Sequence, residues 1–453
     1  MFLDICVFIP QFRRYGKKNL VKLVRKLHYG NYGLICFSSV YSEFDYIREV
    51  ASYVRKHYKI FTILGGSHAT VSPQLSYLDT FDALCIGEGE DALVELARGL
   101  EQEKEQDIAA IQNLWLKQGE KRFQNPTRPF IQDLDSLPMV DREPFQDHIF
   151  EPESRISVLL GRGCPYSCTY CCNHKIRKVA GGKYVRMRSV PNILMEIESL
   201  TLRFPRVTEY FLEVETLGAN MKWLVELCQG LEQCNQDREQ KLSFSANLRV
   251  TDDMDHELVF SHLARAGFES VMIGLESGSE RIRKEVLDRH YSNETIRRAV
   301  HAARKHGLKV GIFNLIGLPT ESDDDFQDTL RLNQELQPDW HSTSIFFPYP
   351  GTRLYELSEE LGLIRGELSG KEERQRAVLD LPEFSKRQIQ KQFDSFHFRV
   401  YQKSPERSPV KYVLYALQIM LGHAYMARAK NKLTLVLHRT GIDHKLLNIF
   451  QKS

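Results

Sequence analysis

The sequence predicts an α/β protein in two units: an N-terminal doubly wound sheet, then a partial (β/α)6 barrel, with a C-terminal helical region behind them. Three observations predict it. Short apolar runs alternate with amphipathic segments from about residue 31 to 98. Glycine turns stand where those runs end. A second series of six apolar runs, with helical segments between them, occupies about 155–350. Strands alternating with helices in this way form parallel sheets covered by helices.

In the first unit (1–105), YGLICFSSV (32–40) reads as a buried strand and 44–57 as a helix. KIFTILGGSHAT (59–70) is a strand running into a glycine turn. FDALCIGEGE (81–90) is another, followed by a helix through Leu100. The turns fall at the carboxyl edge, where such sheets bind ligands. Residues 106–152 read as a linker containing a small hairpin, then Pro126, Pro129, Pro138 and Pro144. The barrel unit (153–360) has strands at 155–161, 209–217, 241–250, 268–276, 309–319 and 340–350, with helices at 220–232, 255–266, 293–306 and 322–336. Chemistry in such barrels sits on loops after the strand C-termini. The remainder, 361–453, reads as mostly helical. Within it YVLYALQIMLGHAYMA (412–427) is an amphipathic packing helix that, placed over the barrel mouth, would admit a hydrophobic substrate.

Composition narrows the function. The 453 residues are 42% hydrophobic and 26% charged, with a net charge of +2, so no basic field points to nucleic acid. The N-terminus MFLDICVFIPQFRR lacks a basic region before its apolar stretch and a small-residue cleavage site, so it is not read as a signal peptide. No run reaches the roughly 20 apolar residues of a membrane span. The expected compartment is the cytoplasm. The nine cysteines are not spaced as a disulfide framework. Cys6, Cys36 and Cys85 lie in strand-like apolar runs and read as small buried hydrophobes.

Three other cysteines carry chemistry. GRGCPYSCTYCCNH (161–174) places Cys164, Cys168 and Cys171 on one tight loop directly after a strand, with Gly161 and Gly163 permitting the sharp entry. Three thiolates can hold three corners of a four-iron cluster and leave the fourth iron open. The rival is structural zinc. It wants four ligands, often in two pairs, and no second pair follows: Cys228 and Cys234 belong to or flank a helix, while Cys172 adjoins Cys171.

The C-x3-C-x-aromatic-C run, with Tyr170 as its aromatic, resembles the signature of the radical S-adenosylmethionine (SAM) superfamily. The resemblance spans about 155–355. VRMRS (185–189) with Glu196, SANLRV (245–250), IGLESGS (273–279), GIFNLIGLPTE (311–321) and FFPYPGTRLY (346–355) match later family segments in order. It implies a [4Fe–4S] cluster on Cys164, Cys168 and Cys171 in a TIM-like barrel. It also implies SAM bound through its amino and carboxylate groups, and one-electron cleavage of the sulfonium to methionine and a 5′-deoxyadenosyl radical. The Tyr170 backbone would abut the adenine. Glu276, Arg289, Ser245 and Arg249 would lie near the cofactor's charged groups, and Glu213 and Glu215 would stand at the second strand end. Residues two apart share a strand face, but which face these two share is not fixed by spacing. For each of these non-cysteine residues, a salt bridge or turn is the alternative role.

A second resemblance covers the first hundred residues. CFSSV (36–40), ILGGSHATVSP (63–73) and DALCIGEGEDALVEL (82–96) resemble the Rossmann-like cobalamin-binding domain that precedes the radical core in one large subgroup. It implies corrin or nucleotide contacts at Ser38, Gly65, Gly66, Gly87 and Glu88. The domain reads as shortened by a strand and a helix before MFLDICVFIP. No D-x-H-x-x-G stretch supplies a cobalt ligand, and His68 belongs to a variant of the glycine turn. The expected function is a radical SAM enzyme that, with cobalamin, transfers methyl groups to an unactivated carbon or phosphorus of a small or hydrophobic molecule. The alternatives are a cobalamin-independent radical enzyme (rearrangement, cyclisation or oxidation) with a vestigial N-terminal domain, and a non-catalytic cobalamin or SAM sensor. A tRNA methylthio-transferring enzyme would want extra N-terminal cysteines and a basic RNA-binding appendix, neither of which is present. The implied partners are a small-molecule substrate and a reducing electron-donor protein, with no nucleic acid.

Overall fold

The computed structural model describes residues 6–7, 30, 32–143, 155–366 and 368–402. The N-terminal sheet has six strands in sequential order: β1 (Cys6–Val7), β2 (Leu34–Ser38), β3 (Phe61–Gly65), β4 (Ala83–Cys85), β5 (Leu114–Gln118) and β6 (Lys121–Gln124). The first four are parallel and the last two antiparallel. Alternation along the strands splits the core in two. Ile35, Phe37, Leu64 and Leu84 pack beneath Phe44, Ile47, Val50 and Val54 of the helix Tyr41–His57. Leu34, Ile63, Ala83 and Cys85 face Ala92 and Leu96 of the helix Glu90–Glu101. Both faces are thereby covered. Cys85 is buried and burial pushes its thiol up to about 12, as expected of a packing cysteine. The hairpin read within the linker is β5–β6, and it continues this sheet by pairing with β4.

At the carboxyl edge, Gly65 ends β3 and Gly66 opens the short helix Gly66–Val71. Gly66 has φ +90°, and a Cβ there would stand 2.7 Å from both the amide nitrogen and the carbonyl oxygen of Ser39. Gly66→Ala should therefore lower stability by about 1–3 kcal/mol, read as a shifted urea midpoint at unchanged m.

The barrel strands are β7 (Ile156–Leu159), β10 (Glu209–Leu217), β11 (Ser243–Leu248), β12 (Phe268–Glu276), β13 (Lys309–Ile316) and β14 (Trp340–Ile345). They are all parallel in the order β14-β13-β12-β11-β10-β7, so the sheet is open between β14 and β7. A two-stranded ribbon, β8 (Gly161–Arg162) with β9 (Arg186–Met187), stands beside it. The helices start at polar caps: Ser189, Asn220, Asp255, Ser292 and Ser322 each accept a bond from an amide of the first turn. Their apolar stripes pack on the outward residues of the strands, as Leu224, Leu227 and Leu231 do in the core shared with Tyr210, Leu212 and Val214. The other strand face is left for the lumen.

Of the segment read as helical, the described residues of 361–385 are irregular apart from a 3-10 turn at Gly370–Glu372, and among the described residues one helix follows, Lys386–Tyr401. That helix buries Ile389, Phe396 and Val400 against Phe326 and Ile345. The apolar stretch 412–427 lies outside the described residues. No helix among the described residues is long and apolar enough to cross a membrane.

Candidate active site

The cysteine loop leaves the ribbon at Gly163, whose φ of +87° and close packing on the Tyr184 carbonyl leave no room for a side chain. Arg177 Nη2 donates to the carbonyls of Cys164 (2.5 Å) and Tyr166 (3.1 Å). Thr169 is tied to the turn before Asp288, its Oγ1 donating to Val286 O (2.5 Å) and its amide to Leu287 O (3.3 Å). Leu354 N donates to Thr169 O from the opposite side (3.1 Å). The loop is thus held from three directions.

Cys164 and Cys168 are buried and Cys171 is half-buried. Each sulfur meets at least one polar side chain. Cys164 Sγ is 3.3 Å from Thr216 Oγ1, Asn173 Nδ2 donates to Cys171 Sγ (3.4 Å), and Arg249 Nη1 donates to Cys168 Sγ (2.8 Å). Burial pushes the Cys164 thiol up, a preference that iron ligation reverses by deprotonating it. Among the described residues no three His, Cys, Asp or Glu side chains converge as a single ion requires. A cluster needs no such convergence, because it takes one thiolate per iron. The three cysteines therefore fit a [4Fe–4S] cluster better than zinc.

Beside the loop, a buried polar knot unites three of the expected residues. Tyr170 donates its hydroxyl to Glu276 Oε1 (3.0 Å). Arg289 Nη1 donates to the Tyr170 hydroxyl (2.8 Å) and to Glu276 Oε1 (3.0 Å). Its other nitrogens reach Gly274 O (2.9 Å) and the Tyr291 hydroxyl (2.9 Å). Glu276 ends β12 with φ +64°, a left-handed conformation that turns its side chain off the strand. Within β11 the Ser245 hydroxyl, and just past its end Arg249 Nε, are buried without a partner among the described residues. The Arg249 guanidinium lies 3.6 Å above the Tyr166 ring. Unpaired buried polar atoms on the strand whose Arg249 reaches the cysteine loop would suit the amino-acid end of SAM. Glu213 and Glu215 are both exposed, on the face opposite Tyr210, Leu212 and Val214. They therefore share the lumen side.

The positions expected to contact cobalamin lie along the facing edge of the N-terminal sheet. Ser38 is exposed, Gly65 and Gly66 form the turn, and Gly87 has φ +84°. Glu88 is engaged elsewhere: it accepts from Arg162 (2.8 Å), Arg186 (3.0 Å) and the Ile131 amide (2.7 Å), while Glu90 takes the other end of Arg162 (2.6 Å). Burial alone would raise the Glu88 carboxyl. The bonds from Arg186, Arg162 and Ile131 outweigh it and hold the group below its ordinary value. A depressed carboxylate contributes stability above its unfolded value of about 4.3, and that contribution is lost as pH falls through the folded value. Glu88→Gln should thus cost about 1–3 kcal/mol at pH 7, and the gap from wild type should close below about pH 4 in thermal melts.

Between this edge and the barrel lies a chamber of about 460 Å³. Its floor is Tyr170, Cys171, Cys172 and Glu276, and its lumen wall comes from β13 and β14. Its roof is Val40, Tyr41, Ser67, His68 and Val71, none of them among the five positions expected to meet cobalamin. His68 is tied to the Tyr77 hydroxyl (3.0 Å), and burial lowers its pKa to about 4. It is a packing residue of the turn, as read from the sequence.

A loop of three cysteines around an open corner, at the carboxyl end of a parallel half-barrel, defines a SAM-cleaving iron–sulfur enzyme. Residues 158–332 match the model of the radical SAM superfamily. That match implies a [4Fe–4S] cluster and SAM as cofactors.

The chain is 28% identical to an uncharacterized methyltransferase of Pyrococcus horikoshii, over 75% of this chain and 72% of that protein. It is 25% identical, over 65% of its length, to an anaerobic magnesium-protoporphyrin IX monomethyl ester cyclase of Cereibacter sphaeroides, of which it spans 48%. Its fold is similar to that of the radical SAM methyltransferase TsrM from Kitasatospora setae with cobalamin and a [4Fe–4S] cluster bound. The TM-score is 0.62 at 17% identity, over 79% of this chain and 69% of that one.

Several residues at the site escaped the sequence reading. Arg177, Thr216 and Asn173 brace the cysteines, and Glu321 holds the turn at Gly317 by accepting the amides of Gly317 and Leu318. Arg177, at the C-cap of the short helix Asn173–Ile176 just past the cysteines, could have been found as a nearby cation for the loop's carbonyls. Thr216 carries no such signal.

Proposed function

We propose that this enzyme is a cobalamin-dependent methyltransferase acting on a small hydrophobic molecule. The observation that carries the reading is the chamber, which runs without interruption from the cluster loop to the carboxyl edge of the N-terminal sheet. The names of the similar proteins from Pyrococcus horikoshii and Kitasatospora setae support it. In this reading residues 1–105 present the corrin and 153–360 bind the cluster and SAM. When bound, these groups supply an oxidising carbon radical and a methyl donor. Ser245, Arg249 and the Tyr170–Glu276–Arg289 knot orient SAM. Val40 and Val71 of the roof offer the corrin an apolar face, and the mostly apolar lining limits water around the radical. A cytoplasmic electron-donor protein would restore the cluster.

One observation favours the cobalamin-independent alternative. The space at Gly66 is filled by Ser39, that beside Gly87 by Asn113 and Val179, and Glu88 is consumed by arginines. The two readings separate in one experiment. The protein is reconstituted anaerobically with iron and sulfide, offered hydroxocobalamin and desalted. Iron–sulfur absorbance with stoichiometric corrin is expected. A cluster without corrin would overturn the methyltransferase reading in favour of hydrogen-abstraction chemistry.

A further inference from the structure

The substrate class can be read from which polar groups of the chamber are already spent. Glu276 is paired with Arg289, and Glu373 with Arg374 (3.3 Å). The Tyr349 hydroxyl donates to Glu373, and that of Tyr41 to Leu368 O (3.1 Å). Asn314 is bonded to Asn333 and Thr343. Among the described residues no unpaired charge lines the space, so a charged guest would enter without a counter-ion from them and lose its hydration.

What remains is a mostly apolar slot with aromatic walls (Tyr41, Phe313, Phe347 and Tyr349) and one polar strip. Tyr41 and Phe347 meet across the two domains with ring centroids 5.5 Å apart, and Phe347 and Tyr349 are 5.3 Å apart. On the lumen wall, Phe313 pairs in register with Ser342 and Leu315 with Ser344. Ser342 and Ser344 share one strand face, line the chamber, and have no hydrogen-bond partner for their hydroxyls among the described residues.

We propose that the chamber takes an uncharged molecule with a flat, largely apolar ring body, held by Phe313, Leu315 and Phe347, and that Ser342 and Ser344 read a hydrogen-bonding group on its edge. This rests on the functional reading above, since it assigns the lumen wall to the methyl acceptor and the roof to the corrin. The two hydroxyls then determine specificity, because an acceptor lacking the edge group leaves both unpaired in an apolar slot.

A matched pair of fluorescent probes tests it. N-phenyl-1-naphthylamine is uncharged, has two aromatic rings and one N–H. 8-Anilinonaphthalene-1-sulfonate is the same skeleton with a sulfonate added. Each is titrated anaerobically into protein carrying the reconstituted cluster and SAM, without reductant. The uncharged probe should bind one site, at least about 10-fold tighter than the sulfonate. Ser342→Ala with Ser344→Ala should weaken it about 5-fold. Ser344→Trp, which fills the slot from the lumen face, should abolish its signal while leaving the circular dichroism melt in place. Equal affinity for the two probes, an unchanged double-alanine variant, or a signal surviving Ser344→Trp would each overturn the assignment.

Hydroxocobalamin separates this proposal from the reading beneath it. If corrin is retained and displaces the probe, the lumen wall belongs to the corrin: the inference falls and the cobalamin reading stands. If corrin is not retained and the probe still follows the serines, the cobalamin reading falls and the substrate assignment stands.

Discussion

Cys168→Ala should abolish the iron–sulfur absorbance and bring reductive SAM cleavage down to that of a protein-free control. In the proposed assignment each cysteine of the trio would hold its own corner of the cluster, and the loop offers no substitute at the Cys168 position, where Arg249 approaches the sulfur. Two controls make the result specific. Cys228, fully buried in the helix Met221–Gln236, packs against the barrel core, so Cys228→Ala should keep the cluster and lose only packing energy. Cys172→Ala should keep it as well, because the neighbouring Cys171 takes the corner that the motif's spacing assigns to it. Iron and sulfide counts after anaerobic reconstitution decide all three. A cluster lost from Cys172→Ala would move the third ligand by one residue.

The second large effect is on stability. Arg289 is the only cation bonded to the Glu276 carboxylate among the described residues, and both groups are buried. Arg289→Met removes the positive partner and leaves a buried carboxylate with the Tyr170 hydroxyl but no counter-charge, which typically costs about 3–5 kcal/mol. Neutralising the stranded group in the same chain, with Glu276→Gln, should recover most of that loss. Chemical denaturation of the two single variants and the double measures the coupling. If the double variant were as unstable as Arg289→Met alone, the cost would lie in the arginine's bonds to Gly274 and Tyr291 and not in the ion pair.

Legibility in the sequence followed the range of the interactions. The cysteine loop was readable because its three ligands lie within eight residues. The barrel strands were readable because each is a run of local apolar character. The knot is different: Tyr170 and Arg289 are 119 positions apart, and only the ordered family motifs placed them at one rim. Glu213 and Glu215 were known to share a face, but that face became the lumen only when Tyr210, Leu212 and Val214 packed against helices. The hairpin at 114–124 looked like part of a linker because its partner strand, β4, lies across a helix and pairs with it antiparallel. Glu88 reads locally as the end of a ligand turn. Its arginines come from a ribbon more than 70 residues away, and no spacing rule announces them. The aromatic contact of Tyr41 with Phe347 depends on how two units dock, which periodicity within either one does not encode.

The gap between β14 and β7 has a bearing on how such a protein changes over time. In a closed barrel, strand number and stagger fix the girth, so a wider bore needs new backbone pairing all the way round. An open sheet has no such hoop. Its bore is set by whichever side chains wedge the two free edges apart, and those change one codon at a time. A lineage built on this frame can resize its reaction space for bulkier or slimmer molecules while every strand keeps its neighbour and the cysteine loop stays where it is.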